Sequence, residues 1–116
     1  MIPAGVEIFV AITPVDLRYG FERLSGLVAE QMGVSARSGA LFVFFGKRRT
    51  AVKVLFADRT GWCLFYKRLD QGTFRIPEPL RPDAASVVVT EQALDALLDG
   101  IAVEPAATSA RTRRVH

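Results

Sequence analysis

The stretch from Arg37 to Arg81 constrains this chain more than any other. It breaks into short apolar runs, Leu41–Phe45, Ala51–Ala57, Trp62–Tyr66 and Phe74–Ile76, each ended by Gly, Asp, Lys or Pro. Runs of about four to eight β-branched and aromatic residues between turn signals read as strands, so the stretch predicts an antiparallel meander. The breaks supply its turns: Gly46-Lys47-Arg48-Arg49-Thr50, Asp58–Gly61 and Asp70-Gln71-Gly72. Pro77, Pro79 and Pro82 then end the sheet, because proline removes a ladder donor.

The same stretch holds the charge. Between Arg37 and Arg81 there are ten Lys or Arg against three acids, a local +7 in a chain whose total is +3. The first 36 residues carry −2, residues 82–104 carry five acids and no base, and residues 105–116 carry +3. A sheet with a positive rim, beside an acidic C-terminal segment, points to a polyanionic partner. A solvated surface whose charges are offset by that acidic segment is the competing explanation.

Before the meander, Val6–Ile12 alternates like a strand, with Val6, Ile8, Val10 and Ile12 on one face. Thr13-Pro14-Val15-Asp16 resembles a helix start, with Thr13 as cap and Pro14 at the first helical position. Phe21, Leu24, Leu27, Val28 and Met32 recur at three- and four-residue steps, which predicts an amphipathic helix over Phe21–Met32, stopped by Gly33. After Val87–Val89, Thr90 caps a short helix, Glu91–Asp99, with Leu94, Leu97 and Leu98 inward and Gly100 as its stop. The expected fold is therefore α+β. It has a mostly antiparallel sheet of four to five meandering strands, one helix on a face burying Phe21, Leu24, Val28 and Met32, and a short C-terminal helix. Residues 1–103 are expected to form one globular domain and 104–116 a disordered basic tail.

No apolar run approaches the ~18 residues that span a bilayer. The opening MIPAGVEIFV has no basic residue before its apolar run, unlike a signal peptide, so a cytoplasmic location without membrane contact is expected. Cys63 is the single cysteine, too few for a disulfide within the chain, and reads as a strand residue. The single histidine is His116, which leaves Ser-His or Cys-His catalysis without a candidate. Asp16, Asp58 and Asp70 could in principle bind magnesium, but aspartate in turns has local hydrogen bonding to explain it. No phosphate-binding glycine loop is present. No catalytic residue, cofactor or metal site is therefore expected.

For nucleic acid, Lys47, Arg48 and Arg49 place three cations on one hairpin tip, a reach suited to phosphates rather than base edges. Lys53, Lys67, Arg68 and Arg75 complete the candidate binding set along the rim. Trp62, Phe65 and Tyr66 could stack on bases if they face outward, or pack inward as core. Lys53, in mid-strand, fits either a solvated face or a functional groove.

Asp16-Leu17-Arg18-Tyr19-Gly20-Phe21-Glu22-Arg23-Leu24 resembles the D-L-R-K-G-F-D-G-L signature of the small accessory protein of insertion sequences of the sixty-six family, the TnpB or Orf2-like family. Further blocks agree in order: Gly39 with Leu41-Phe42-Val43-Phe44, then Gly46-Lys47-Arg48-Arg49, Lys53-Val54-Leu55, Asp58 and Gly61. Lys67-Arg68-Leu69, Gly72, Phe74, Pro77 and Leu97-Leu98-Asp99-Gly100-Ile101 follow. The resemblance spans roughly residues 2–101. Tyr19 stands where a lysine is usual, Arg23 where a glycine is, and Ala57 where an aromatic often precedes the aspartate.

The resemblance implies a mobile-element protein encoded beside a separate catalytic transposase and needed for efficient transposition. It transfers no catalytic residue, and Asp16, Arg18, Lys53 and Asp58 are its polar motif positions. The expected function is a non-catalytic transposition accessory that binds DNA through the basic rim, assists the transposase of the same element, or both. The alternatives are an adaptor that docks on the transposase without touching DNA and, more distantly, a metal-dependent nuclease. Self-association is open at this stage.

Overall fold

The structure is a computed structural model, and residues 5–106 are described. Five strands form one sheet: β1 (Ile8–Ala11), β2 (Leu41–Phe45), β3 (Ala51–Ala57), β4 (Trp62–Arg68) and β5 (Ser86–Val89), in the order β4-β3-β2-β1-β5. Helix α1 (Phe21–Leu27) runs on as a wider π-type turn over Val28–Met32, and α2 (Glu91–Leu98) follows β5. The fold is α+β with two helices and a mostly antiparallel sheet.

The sheet is not a pure meander. Only β2, β3 and β4 follow one another as antiparallel neighbours. β1 pairs parallel to β2, with Ile8 opposite Leu41, and antiparallel to β5, with Ile8 opposite Val89. A parallel pair needs a long crossover, and the connection carrying α1 supplies it. Phe74–Ile76, expected as a strand, is an extended segment without ladder pairing. Its Phe74 amide donates to the Arg49 carbonyl (2.6 Å), and the Phe74 ring lies 5.5 Å from that of Phe45. Thr13–Asp16 does not start a helix either. The Tyr19 amide donates to the Asp16 carbonyl (3.1 Å), closing a turn, and α1 begins only after Gly20, without a side-chain cap.

β2 explains why two helices are needed. All five residues of LFVFF are buried, so the strand has no solvent face, and each side of the sheet must be covered. On one side Phe42, Phe44, Leu55 and Ala11 pack with Leu24, Leu27 and Val28 of the α1 segment. On the other, Ile8, Val10, Leu41, Val43, Phe45, Val52 and Val54 pack with Phe74 and with Leu94 and Leu97 of α2. Each fully buried leucine contributes about 1.5–3 kcal/mol relative to exposure. Thr90 caps α2 as expected, its hydroxyl accepting from the Ala93 amide (3.0 Å).

The α1 stripe is buried at Leu24 and Val28 but not throughout. Phe21 is 42% exposed and Met32 half-buried. Phe21 stacks on Trp62 of β4 instead, with centroids 6.0 Å apart, and the Arg37 guanidinium lies 4.5 Å from the Trp62 ring centroid. Of the tail expected from residue 104, only 104–106 are described; Ala106 donates its amide to the Val88 carbonyl (2.7 Å), and the rest lies outside the described residues.

Candidate nucleic-acid interface

The basic tip between β2 and β3 is held from two sides. Val15 forms a parallel bridge to Gly46, its amide donating to the Phe45 carbonyl (2.8 Å), so the segment after β1 runs beside the end of β2. Leu17 lies over Gly46 so closely that a Cβ there would meet its Cδ1 at 3.2 Å. From the opposite side, the Leu69 amide donates to the Thr50 carbonyl (2.9 Å) and the Phe74 amide to that of Arg49. Arg49 takes φ 59°, the left-handed region that costs a side-chain-bearing residue about 1 kcal/mol or more. Its carbonyl bond to Phe74 and its amide bond to the Gly46 carbonyl (2.9 Å) hold it there. The tip is thus a fixed platform rather than a free loop.

That bracing gathers cations. A groove of about 620 Å³ is lined by Asp16, Leu17, Arg18, Lys47, Arg48, Arg49, Thr50, Tyr66 and Arg68, together with Val15, Gly46 and Ala51. Five of the lining residues are basic and one is acidic. Lys47, Arg48, Arg49 and Arg68 are all exposed. Arg68, at the end of β4, reaches the Thr50 hydroxyl at 3.5 Å. Tyr66, two residues earlier on the same face, is 50% exposed and is the aromatic side chain of the groove.

Asp16 and Arg18 form a closed unit at one wall. The Arg18 amide donates to Asp16 Oδ1 (2.9 Å), while its Nε and a terminal guanidinium nitrogen donate to the two carboxylate oxygens (3.0–3.1 Å and 2.6 Å). The Arg18 side chain, then its amide, hold the Asp16 carboxyl well below its ordinary 3.8, at about 2, with Lys47 adding to the effect. Arg18 nevertheless keeps its side chain 90% exposed, and the unused face of the guanidinium is open to a second anion.

The other predicted residues divide. Lys53, half-buried in β3, donates from Nζ to the Tyr19 carbonyl (3.0 Å) and so ties the turn after β1 to the sheet; it does not line the groove. Lys67 points to the α2 side, where its ammonium lies 3.3 Å from Asp99. Arg75 is exposed on the segment after Phe74 and does not line the groove. Trp62 is partly covered by Phe21 and Arg37, and Phe65 lies on the opposite face from Tyr66.

Asp58 closes its own turn. One carboxylate oxygen accepts from the amides of Thr60 and Gly61 (both 2.9 Å), and these bonds lower its pKa. The Cys63 thiol donates to the other oxygen at 3.8 Å; burial, then the negative charge of Asp58, push it up and keep it protonated. Asp16 and Asp58 stand beside opposite ends of the seven-residue β3, roughly 20 Å apart, too far to share a metal ion. Among the described residues no three His, Cys, Asp or Glu side chains converge as a metal site, and no helix is long and apolar enough to cross a membrane.

Sequence reasoning reached the tip but set Arg18 apart from it. The link is the Val15–Gly46 bridge, a contact between distant parts of the chain that no local pattern announces.

The described residues thus form a small α+β protein with a braced basic groove. The chain belongs to the IS66 Orf2-like protein family, whose model matches residues 6–108, a family of transposition accessory proteins. It is 36% identical over 103 residues to the uncharacterized protein y4hO of Sinorhizobium fredii (strain NBRC 101917 / NGR234), covering 87% of each chain. The uncharacterized protein y4jC of the same strain is 36% identical over 73 residues, 63% of this chain and 62% of that one. No solved structure matches the chain. Two departures from the family signature meet in space: the Arg23 guanidinium lies 5.3 Å from the ring centroid of Tyr19.

Proposed function

We propose that this protein serves transposition of its insertion sequence as a non-catalytic DNA-binding accessory, with the braced groove as its phosphate-binding surface. The observation that carries the reading is the convergence of Arg18, Lys47, Arg48, Arg49 and Arg68 around one groove, where the sole acid is already engaged by Arg18. Arginine forks suit phosphate oxygens, and a platform fixed before binding loses less entropy on contact. The cations face phosphates rather than base edges, so the groove positions the protein and leaves sequence choice to other contacts or to the transposase. Residues 105–116 add Arg111, Arg113 and Arg114 to the same net attraction.

The test is a titration of the full chain against duplexes carrying the ends of its element and against random duplexes, at low and moderate salt. Measurable affinity for both at low salt, weakening steeply as salt rises, is expected. No affinity at low salt would refute DNA binding and transfer the basic groove to acidic groups on the transposase, the adaptor reading.

A further inference from the structure

The two edges of the sheet are not alike. At the β5 edge, the outward carbonyl of Val88 is taken by the Ala106 amide of the same chain. At the β4 edge, seven residues long, no described backbone group pairs with the outer side of the strand. Which groups face outward follows from the ladder. Leu69 and Gly61, flanking β4, bond inward to Thr50 and Asp58, and the register between them is unbroken. Odd-numbered residues of β4 therefore direct their amides and carbonyls to β3, and Trp62, Leu64, Tyr66 and Arg68 present theirs to solvent. In the middle of this edge Leu64, Phe65 and Tyr66 are consecutive and exposed, at 39%, 36% and 50%. The strand has no proline, glycine or bulge to discourage pairing, and its two cations, Lys67 and Arg68, sit at its end rather than in the middle of the edge.

We infer that β4 is a dimer edge, pairing antiparallel with β4 of a second copy about a twofold axis at Phe65. The strand is complementary to itself in that register. Leu64 falls opposite the partner's Tyr66, and Trp62 opposite the partner's Arg68. These are the residues with outward backbone groups, so four pairs exchange about eight hydrogen bonds. The central pairs, Leu64 with Tyr66, are aliphatic with aromatic, and no like charges oppose. Phe65 meets itself at the axis as a non-hydrogen-bonded pair, where side chains approach most closely. Lys67, the other cation of the strand, is directed to Asp99 and falls opposite the partner's Cys63. A second copy is favoured as partner because one register pairs every outward backbone group of the strand and sets no like charges opposite each other.

The arrangement keeps the even-numbered side chains of both copies on one face. The two Tyr66–Arg68 walls then share a side of a continuous ten-stranded sheet, with the two Arg68 positions roughly 20 Å apart along the strands. If the groove binds phosphates as proposed above, the dimer presents two such sites to one duplex, but the pairing itself does not depend on that reading.

Sedimentation of the full chain at about 100 µM, a concentration suited to a small interface, should show a dimer that dissociates on dilution. Phe65→Arg should be monomeric with an unchanged circular dichroism spectrum. The register is tested independently by mild oxidation in a Cys63→Ser background. Phe65→Cys should form an interchain disulfide at least ~5-fold more readily than Leu64→Cys or Tyr66→Cys alone, because only the residue on the axis faces its own copy at disulfide distance. Mixing the Leu64→Cys and Tyr66→Cys chains should restore cross-linking. A monomer at that concentration, or equal cross-linking at all three positions, would overturn the inference.

Discussion

Lys53→Met separates a structural lysine from a phosphate contact. Lys53 lies in β3 between Phe44 of β2 and Tyr66 of β4, and its ammonium donates to the Tyr19 carbonyl at 3.0 Å. Methionine keeps a linear stem of similar size and removes only the charged head. A hydrogen bond from a charged donor contributes about 1.5–3 kcal/mol. The Tyr19 carbonyl belongs to a half-buried residue and can recover part of that from water, which lowers the expected loss to about 1–2 kcal/mol. For a chain of this length, that corresponds to a fall in Tm of roughly 3–10 °C. The assay is thermal unfolding at neutral pH, paired with the salt dependence of DNA binding on the same variant. A lower Tm with an unchanged salt slope is expected. An unchanged Tm together with a slope reduced by about one unit would refute the reasoning and make Lys53 a phosphate ligand.

Asp16→Asn should alter the acid limb of stability. The folded-state pKa of Asp16 is depressed to about 2 from 3.8, so its contribution is present above the unfolded value and lost as pH falls through about 2. The variant's Tm should therefore decline less than the parent's between those two pH values, and a parallel decline would contradict the pairing with Arg18. The same change frees Arg18 and should tighten DNA binding, read as a salt slope steeper by up to about one unit. Arg49→Gly should raise stability by about 1 kcal/mol over Arg49→Ala, because glycine accepts φ 59° without strain. Urea unfolding of both variants checks this, and equal midpoints would show that the turn relaxes. Both should lose a similar share of DNA affinity.

The elements were legible because their patterns are local. The apolar runs of β2 and β3, the Leu24–Val28 stripe and the Thr90 cap are each written within a few residues, and the structure places strands and helices there. Pairing was not legible. That β1 joins β2 in parallel and β5 on its other side depends on contacts across the whole chain, and the β-prone composition of Val6–Ile12 suits either direction. Phe74–Ile76 misled because an apolar alternation reports burial, and here burial comes from packing on the α2 face rather than from a ladder. Thr13–Asp16 misled because a Thr-Pro start with an aspartate three residues on can equally lead into a turn, and Arg18 gives that aspartate a stronger partner than a helix start would. For the groove, Lys47-Arg48-Arg49 announced itself as a charged tip. Arg18, Tyr66 and Arg68 joined it only through the folding of two other segments around that tip.

If the braced groove binds phosphates, the Lys47→Ala/Arg48→Ala/Arg49→Ala variant should change the salt dependence of DNA binding. Their exposed side chains contribute little to the core, so the fold should survive, as circular dichroism would show. Plotted as log affinity against log salt, the variant's slope should be shallower than the parent's by roughly 2–3 units, one for each lost phosphate contact. The change should be equal on duplexes from the ends of the element and on random duplexes. A folded variant that binds DNA with the parent's slope would show that these three side chains make no phosphate contact.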